Sequence, residues 1–153
     1  AQVIRIPEPT FSLISLNEQA RSVYSLTSIE CRQRNIELSL SLTDNDQYIH
    51  VDGIQFEQVL VNIIKNAYEA IGENGRIKIS TYHSPLSIII EDNGPGISEE
   101  AKQKLFTPFF TTKSSGQGIG LMFVREVLTN HRCRFSLSTE EGYTRFKIFF
   151  EVI

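Results

Sequence analysis

Two asparagines, Asn62 and Asn66, stand four residues apart in a run that is otherwise mostly apolar. On a helix they would share one face, about 6 Å apart along the axis. Two amide oxygens so placed can face a ligand shell or a hydrated cation. They belong to a polar stripe of Gln55, Gln58, Asn62, Asn66 and Glu69. A stripe of Lys and Glu would be an ordinary solvent face. Asparagine, however, is a poor helix-interior residue, so the solvent-face and ligand readings carry equal weight. A second feature is "EDNGPGI", residues 91–97. Asn-Gly and Pro-Gly are turn signals, but a turn needs no Asp92. A carboxylate only accepts hydrogen bonds, so Asp92 can select a ligand with an exocyclic amine. Gly94 and Gly96 leave backbone bare where a flat ring can lie. A third feature is "SSGQGIG", where Gly116, Gly118 and Gly120 precede an apolar helical run. Backbone N–H groups at a helix start favour phosphate oxygens. By itself this spacing is weak, since flexible loops use it too. It matches neither the P-loop nor the dinucleotide fingerprint.

Positioning these groups requires a regular frame. After a stiff entry at "IPEPT", apolar spacing predicts a helix over residues 16–34, with Leu16, Ala20, Val23, Tyr24 and Ile29 inward. "IELSLSL" alternates as a half-buried strand, "TDND" turns, and "YIHVD" is a second strand. A long, largely buried helix is predicted over 54–71, capped by Asp52 with Gln55 completing a capping-box-like pair, and ended by "GENG". "RIKISTY" and "LSIIIED" are strands around a Ser-Pro turn. Residues 98–118, including the short amphipathic "EEAKQKLF", form a long segment of little regular structure, a length that belongs to functional lids or to disordered loops. A third helix is predicted over 119–130, then strands at "RFSLS" and "TRFKIFFEV". Strands joined by short turns, as sequential antiparallel neighbours with helices on one face, give an α+β two-layer sandwich.

The 153 residues suit one domain. They carry 41% hydrophobic residues and a net charge of −3, with no block of one sign and no basic stripe of a nucleic-acid binder. Cys31 and Cys133 lie far apart, and two buried free thiols are expected rather than a disulfide. No apolar stretch approaches a bilayer span and no secretory signal opens the chain. The chain begins at Ala1, as expected of a piece of a longer protein.

In this order and spacing the three features resemble the nucleotide-binding domain of the GHKL superfamily, the Bergerat fold. The likeness is to the catalytic and ATP-binding (HATPase_c) domain of sensor histidine kinases. "QVLVNIIKNAYEAI" (58–71) looks like its N box, "DNGPGI" (92–97) its G1 box, "LFTPFFTTK" (105–113) its F box and "GQGIGL" (116–121) its G2 box. The resemblance covers nearly the whole chain, 1–153. It implies a mixed, mostly antiparallel sheet with about three helices on one face and a mobile ATP lid, ordered by nucleotide. Asn66 would coordinate Mg²⁺ on the ATP phosphates, and Asn62 would line the phosphate side. Asp92 would accept from the adenine amine, with Gly94 and Gly96 closing on the base. Thr144, in "GYTRF", would reach a water beside Asp92. Gly116, Gly118 and Gly120 would shape the phosphate end of the lid, with Lys113 and Gln117 approaching the terminal phosphates. The matched boxes add Ile97, Thr112 and Leu121. Phe106, Phe109 and Phe110 would pack the lid onto the core. Two departures touch local turns: "NHRCRF" lacks the family's Gly-rich turn, and "GYT" replaces "GGT".

Hydrolysing relatives carry a Glu general base where this chain has Asn62. The resemblance therefore implies transfer of the γ-phosphate to a histidine elsewhere, with Asn62, Asn66 and Lys113 as catalytic positions. His50, His83 and His131 are followed by Val51, Ser84 and Arg132, and none fits the phosphoacceptor pattern. The acceptor would lie on a dimerisation domain of the same parent, served by a cognate response regulator. The domain itself would be cytoplasmic, monomeric, and free of direct membrane or nucleic-acid contact. The alternatives are a degenerate module binding nucleotide or a partner, and a hydrolysing GHKL ATPase, which Asn62 disfavours.

Overall fold

The computed structural model describes residues 6–96, 100, 103 and 116–152, with the backbone alone for residues 116–120. The elements run β1 (Ser12–Ser15), α1 (Leu16–Gln33), β2 (Ile36–Ser41), β3 (Tyr48–Val51), α2 (Gly53–Ile71), β4 (Gly75–His83), β5 (Leu86–Asp92), α3 (Gly116–Asn130), β6 (Arg134–Glu140) and β7 (Tyr143–Phe149). A five-stranded sheet has the order β2-β4-β5-β7-β6, and β1 with β3 forms a separate two-stranded sheet. The helices form one layer: α1 packs on β2 and β4, α2 on β4 and β5, and α3 on β6 and α2. This is the α+β two-layer sandwich, with a mixed sheet.

Strand alternation builds the core. The register aligns the rows Ile79–Ile90–Phe146–Leu137 and Thr81–Ile88–Ile148–Phe135 across β4, β5, β7 and β6. Their apolar members meet Phe56, Leu60 and Ile64 of α2 and Leu128 of α3 in one buried cluster. The next row in the same phase is Ile77–Asp92–Thr144–Thr139. The alternation that buries Ile88 and Ile90 therefore turns Asp92 toward the helices. On the opposite face, Arg145 pairs with Glu91 at 2.8 Å.

Three expectations need correction. The strands are not all sequential antiparallel neighbours: β2 pairs in parallel with β4, and β3 pairs antiparallel with β1 rather than with β2. A parallel pair needs a crossover, and here the crossover contains β3 and α2. Ile29 is 63% exposed, and the inner face of α1 instead takes in Thr27 and Cys31. Gln55 does not complete a capping box. Its Nε2 donates to Pro7 O at 2.7 Å, and its Oε1 is buried without a partner among the described residues. The Asp52 N–H that a capping box would satisfy donates instead to His131 Nε2 at 3.0 Å. Asp52 itself caps as expected, accepting from Ile54 N and Gln55 N at 3.1 and 3.0 Å.

Both departures from the family's turns have local solutions. Arg132 takes φ 56° after α3, the conformation a glycine would otherwise supply. Glu141 and Gly142, at φ 53° and 81°, form the two-residue loop between β6 and β7. Two positive φ values match the twist of a tight hairpin. Both cysteines are free: Cys31 is buried, and Cys133 is half-buried, its thiol pushed up to about 12 by desolvation.

His131 joins the end of α3 to the start of α2. Its Nδ1 lies 2.8 Å from Val127 O, so Nδ1 donates and Nε2 is the acceptor for Asp52 N–H. That arrangement requires the neutral ring, and burial pushes the His131 pKa below its ordinary value. The unfolded chain then binds the proton more readily, so stability falls as pH drops through about 6.5 toward the lower folded value. His131→Ala is expected to cost about 1–2 kcal/mol at neutral pH and to flatten that slope. Urea unfolding from pH 5 to 8 measures both, and an unchanged slope would remove His131 as its source.

Candidate functional site

Three elements converge on one edge of the sandwich: α2, the end of β5, and β7. Asn62 and Asn66 are both half-buried on α2. Asn66 Nδ2 is buried and has no hydrogen-bond partner among the described residues. Such groups are rare and costly in a finished fold, so this one marks a position awaiting a partner. Asp92 is 9% exposed. Its Oδ1 accepts from Gly94 N at 2.8 Å, and Oδ2 receives no hydrogen bond among the described residues. Burial raises its pKa, with the Gly94 N–H opposing.

Gly94 and Gly96 have more local duties than leaving room for a ring. A Cβ on Gly94 would lie 2.9 Å from both Asp92 Oδ1 and Ile71 Cγ1, so only glycine lets the loop close over Asp92 and the end of α2. Gly96 has φ +87°, a conformation other residues rarely adopt. Asn93 fixes the same loop, its Oδ1 accepting from Arg76 N at 2.7 Å. Nothing in the sequence singled out Asn93, because Asn-Gly already reads as a turn. Thr144 is 7% exposed and is the cross-strand neighbour of Asp92, so the structure brings those two together. Thr144 Oγ1 lies 3.3 Å from Thr139 Oγ1.

Gly116, Gln117, Gly118 and Gly120 lie within α3, which starts three residues before the expected Ile119. The first N–H groups of a helix lack intrahelical acceptors, so Gly116 and Gly118 present backbone donors. Leu121 is 4% exposed and belongs to the core. Ile97, Thr112, Lys113, Phe106, Phe109 and Phe110 lie outside the described residues, as does most of the 98–118 lid. His50 sits on β3, stacked on Phe11 at 5.0 Å, and His83 ends β4. No described helix is long and apolar enough to cross a membrane.

The donor set suits Mg²⁺ and a nucleotide. Mg²⁺ takes oxygen ligands, often one or two from protein with the rest from phosphate and water. Asn66 offers an amide oxygen, and its buried Nδ2 has no partner among the described residues. Asp92 offers a buried acceptor for an amine.

The family model for the histidine kinase-, DNA gyrase B- and HSP90-like ATPases matches residues 51–152. The chain belongs to that ATPase family. Within it, the homology is to the catalytic domains of sensor histidine kinases. Sensor histidine kinase ZraS of Escherichia coli K12 is 30% identical over 147 residues, covering 93% of this chain and 32% of ZraS. The signal transduction histidine-protein kinase AtoS of the same organism is 35% identical over 133 residues, covering 85% of this chain and 22% of AtoS. The chain thus spans a third or less of these two relatives. The solved catalytic domain of histidine kinase ThkA, in a nucleotide-free form, superposes with a TM-score of 0.78 at 34% identity, covering 92% of this chain and 95% of that one.

Proposed function

We propose that this domain binds Mg²⁺-ATP and passes the γ-phosphate to a histidine on a separate dimerisation domain of its parent protein. The observation that carries the reading is a pair of incomplete polar groups at one edge of the core. Asp92 is buried with one oxygen uncommitted among the described residues, and Asn66 has a buried, unpartnered amide.

Asp92 accepts from the base amine, and Thr144 supplies a hydroxyl beside it. Asn66 offers its oxygen to the metal, and Asn62 lines the phosphate side. The N–H groups at the start of α3 face anionic oxygens. Mg²⁺, when bound, supplies positive charge to a transfer that depends on positioning and neutralisation. Asn62 has no basicity with which to activate water, so the domain holds ATP for an external nucleophile. ATP as donor places this work in the cytoplasm. ThkA has been solved in complex with the response regulator TrrA, which supports a response regulator as the downstream partner here.

The test supplies a histidine-containing dimerisation domain to this domain with labelled ATP and Mg²⁺. Label is expected on the histidine, with negligible phosphate release from the domain alone. Steady phosphate release without transfer would favour a hydrolysing ATPase. Absence of ADP binding by the folded domain would favour a partner-binding module.

A further inference from the structure

We infer that Thr139 is a positioning residue for the base end of this site, an inference that rests on the nucleotide reading above. Ile77, Asp92, Thr144 and Thr139 form one row across β4, β5, β7 and β6. Thr139 sits one strand beyond Thr144 on the helix-facing side. Among the described residues, the 3.3 Å contact with Thr139 is the only hydrogen bond of the Thr144 hydroxyl. The loop leaving Asp92 lies over this pair: a Cβ on Gly96 would stand 3.3 Å from Thr139 Oγ1 and 3.6 Å from Thr144 Oγ1.

Proton direction gives the contact its meaning. A hydroxyl has one proton and two acceptor lone pairs, whereas a carboxylate only accepts. Adenine presents an amine donor beside a ring-nitrogen acceptor. Reading that pair directly requires Asp92 to accept and the neighbouring Thr144 hydroxyl to donate. Thr144 can direct its one proton there and still keep the 3.3 Å contact only if Thr139 is the donor of that contact. Thr139 makes no other hydrogen bond among the described residues, so its proton is available for this. Hypoxanthine reverses the pattern, with a carbonyl acceptor beside an N–H donor. Thr139 thereby contributes to selection of a 6-amino purine without touching it. The sequence hides the role, because Thr139 falls outside every matched box and just past the strand read at "RFSLS".

The experiment measures calorimetric affinities for ADP and inosine diphosphate in the parent, Thr139→Val, Thr139→Ser and Asp92→Asn. Thr139→Val keeps the shape and the strand propensity, and its thermal midpoint verifies folding. It is expected to lower the ADP-to-inosine-diphosphate affinity ratio about three- to tenfold, and Thr139→Ser is expected to restore it. An unchanged ratio in Thr139→Val, equal weakening of both nucleotides, or failure of Ser to restore would overturn the inference. Asp92→Asn separates the two readings. If it removes ADP binding while the Thr139 variants keep the parent ratio, only the role of Thr139 falls. If it leaves ADP binding intact, the base-site reading falls with it.

Discussion

Asp92→Asn is expected to bind ADP about a hundredfold more weakly than the parent while being no less stable. A hydrogen bond to a charged acceptor contributes about 1.5–3 kcal/mol, and tenfold in affinity corresponds to about 1.4 kcal/mol. The asparagine would also turn an N–H toward the base amine or lose its orientation. Stability moves the other way. Burial raises the Asp92 pKa from 3.8, so the folded state holds the proton more tightly than the unfolded chain. The stabilisation is fully present below the unfolded value and is lost as pH rises through the raised folded value. Asparagine has no charge to desolvate and keeps an acceptor for Gly94 N–H. Calorimetry and urea unfolding on the same samples decide the matter. A variant that binds normally, or that loses binding only by unfolding, would contradict the assignment.

Asn66→Ala is expected to lower phosphoryl transfer to a supplied dimerisation domain by on the order of a hundredfold or more. The domain should remain folded. The substitution removes a buried Nδ2 that has no partner among the described residues, and removing such a group costs little. ADP binding in the absence of Mg²⁺ should be nearly unchanged, and the gain in affinity on adding Mg²⁺ should disappear. Titrations with and without the metal measure this. An intact Mg²⁺ effect would move the metal away from Asn66. In both variants the side chain that costs the fold stability is one that the proposed ligand uses.

The parts of the frame that carry these groups were legible because they are local. The α2 pattern, the Asp52 cap and the alternation of β4 and β5 follow from residues within a turn or two of one another. That alternation also places Asp92 on the helix side. What escaped depends on partners far along the chain. The pairing of β3 with β1 rather than β2 joins segments more than thirty residues apart, and four-residue strands carry little register information of their own. Gln55 reads as polar and outward until Pro7 arrives beside it. His131 reads as a residue past a helix end until α2 presents Asp52 N–H. The start of α3 at Gly116 was missed because glycine-rich sequence favours a loop on propensity.

The entry segment is fastened to α2 at several points. Thr10 N donates to Asp52 Oδ2 at 2.8 Å, and Pro7 O accepts from Gln55. Phe11 lies edge-on to His131, with ring centroids 5.0 Å apart. The middle and C-terminal half of the same helix carry Asn62 and Asn66. The entry segment therefore anchors the N-terminal end of the helix whose later turns present the two asparagines.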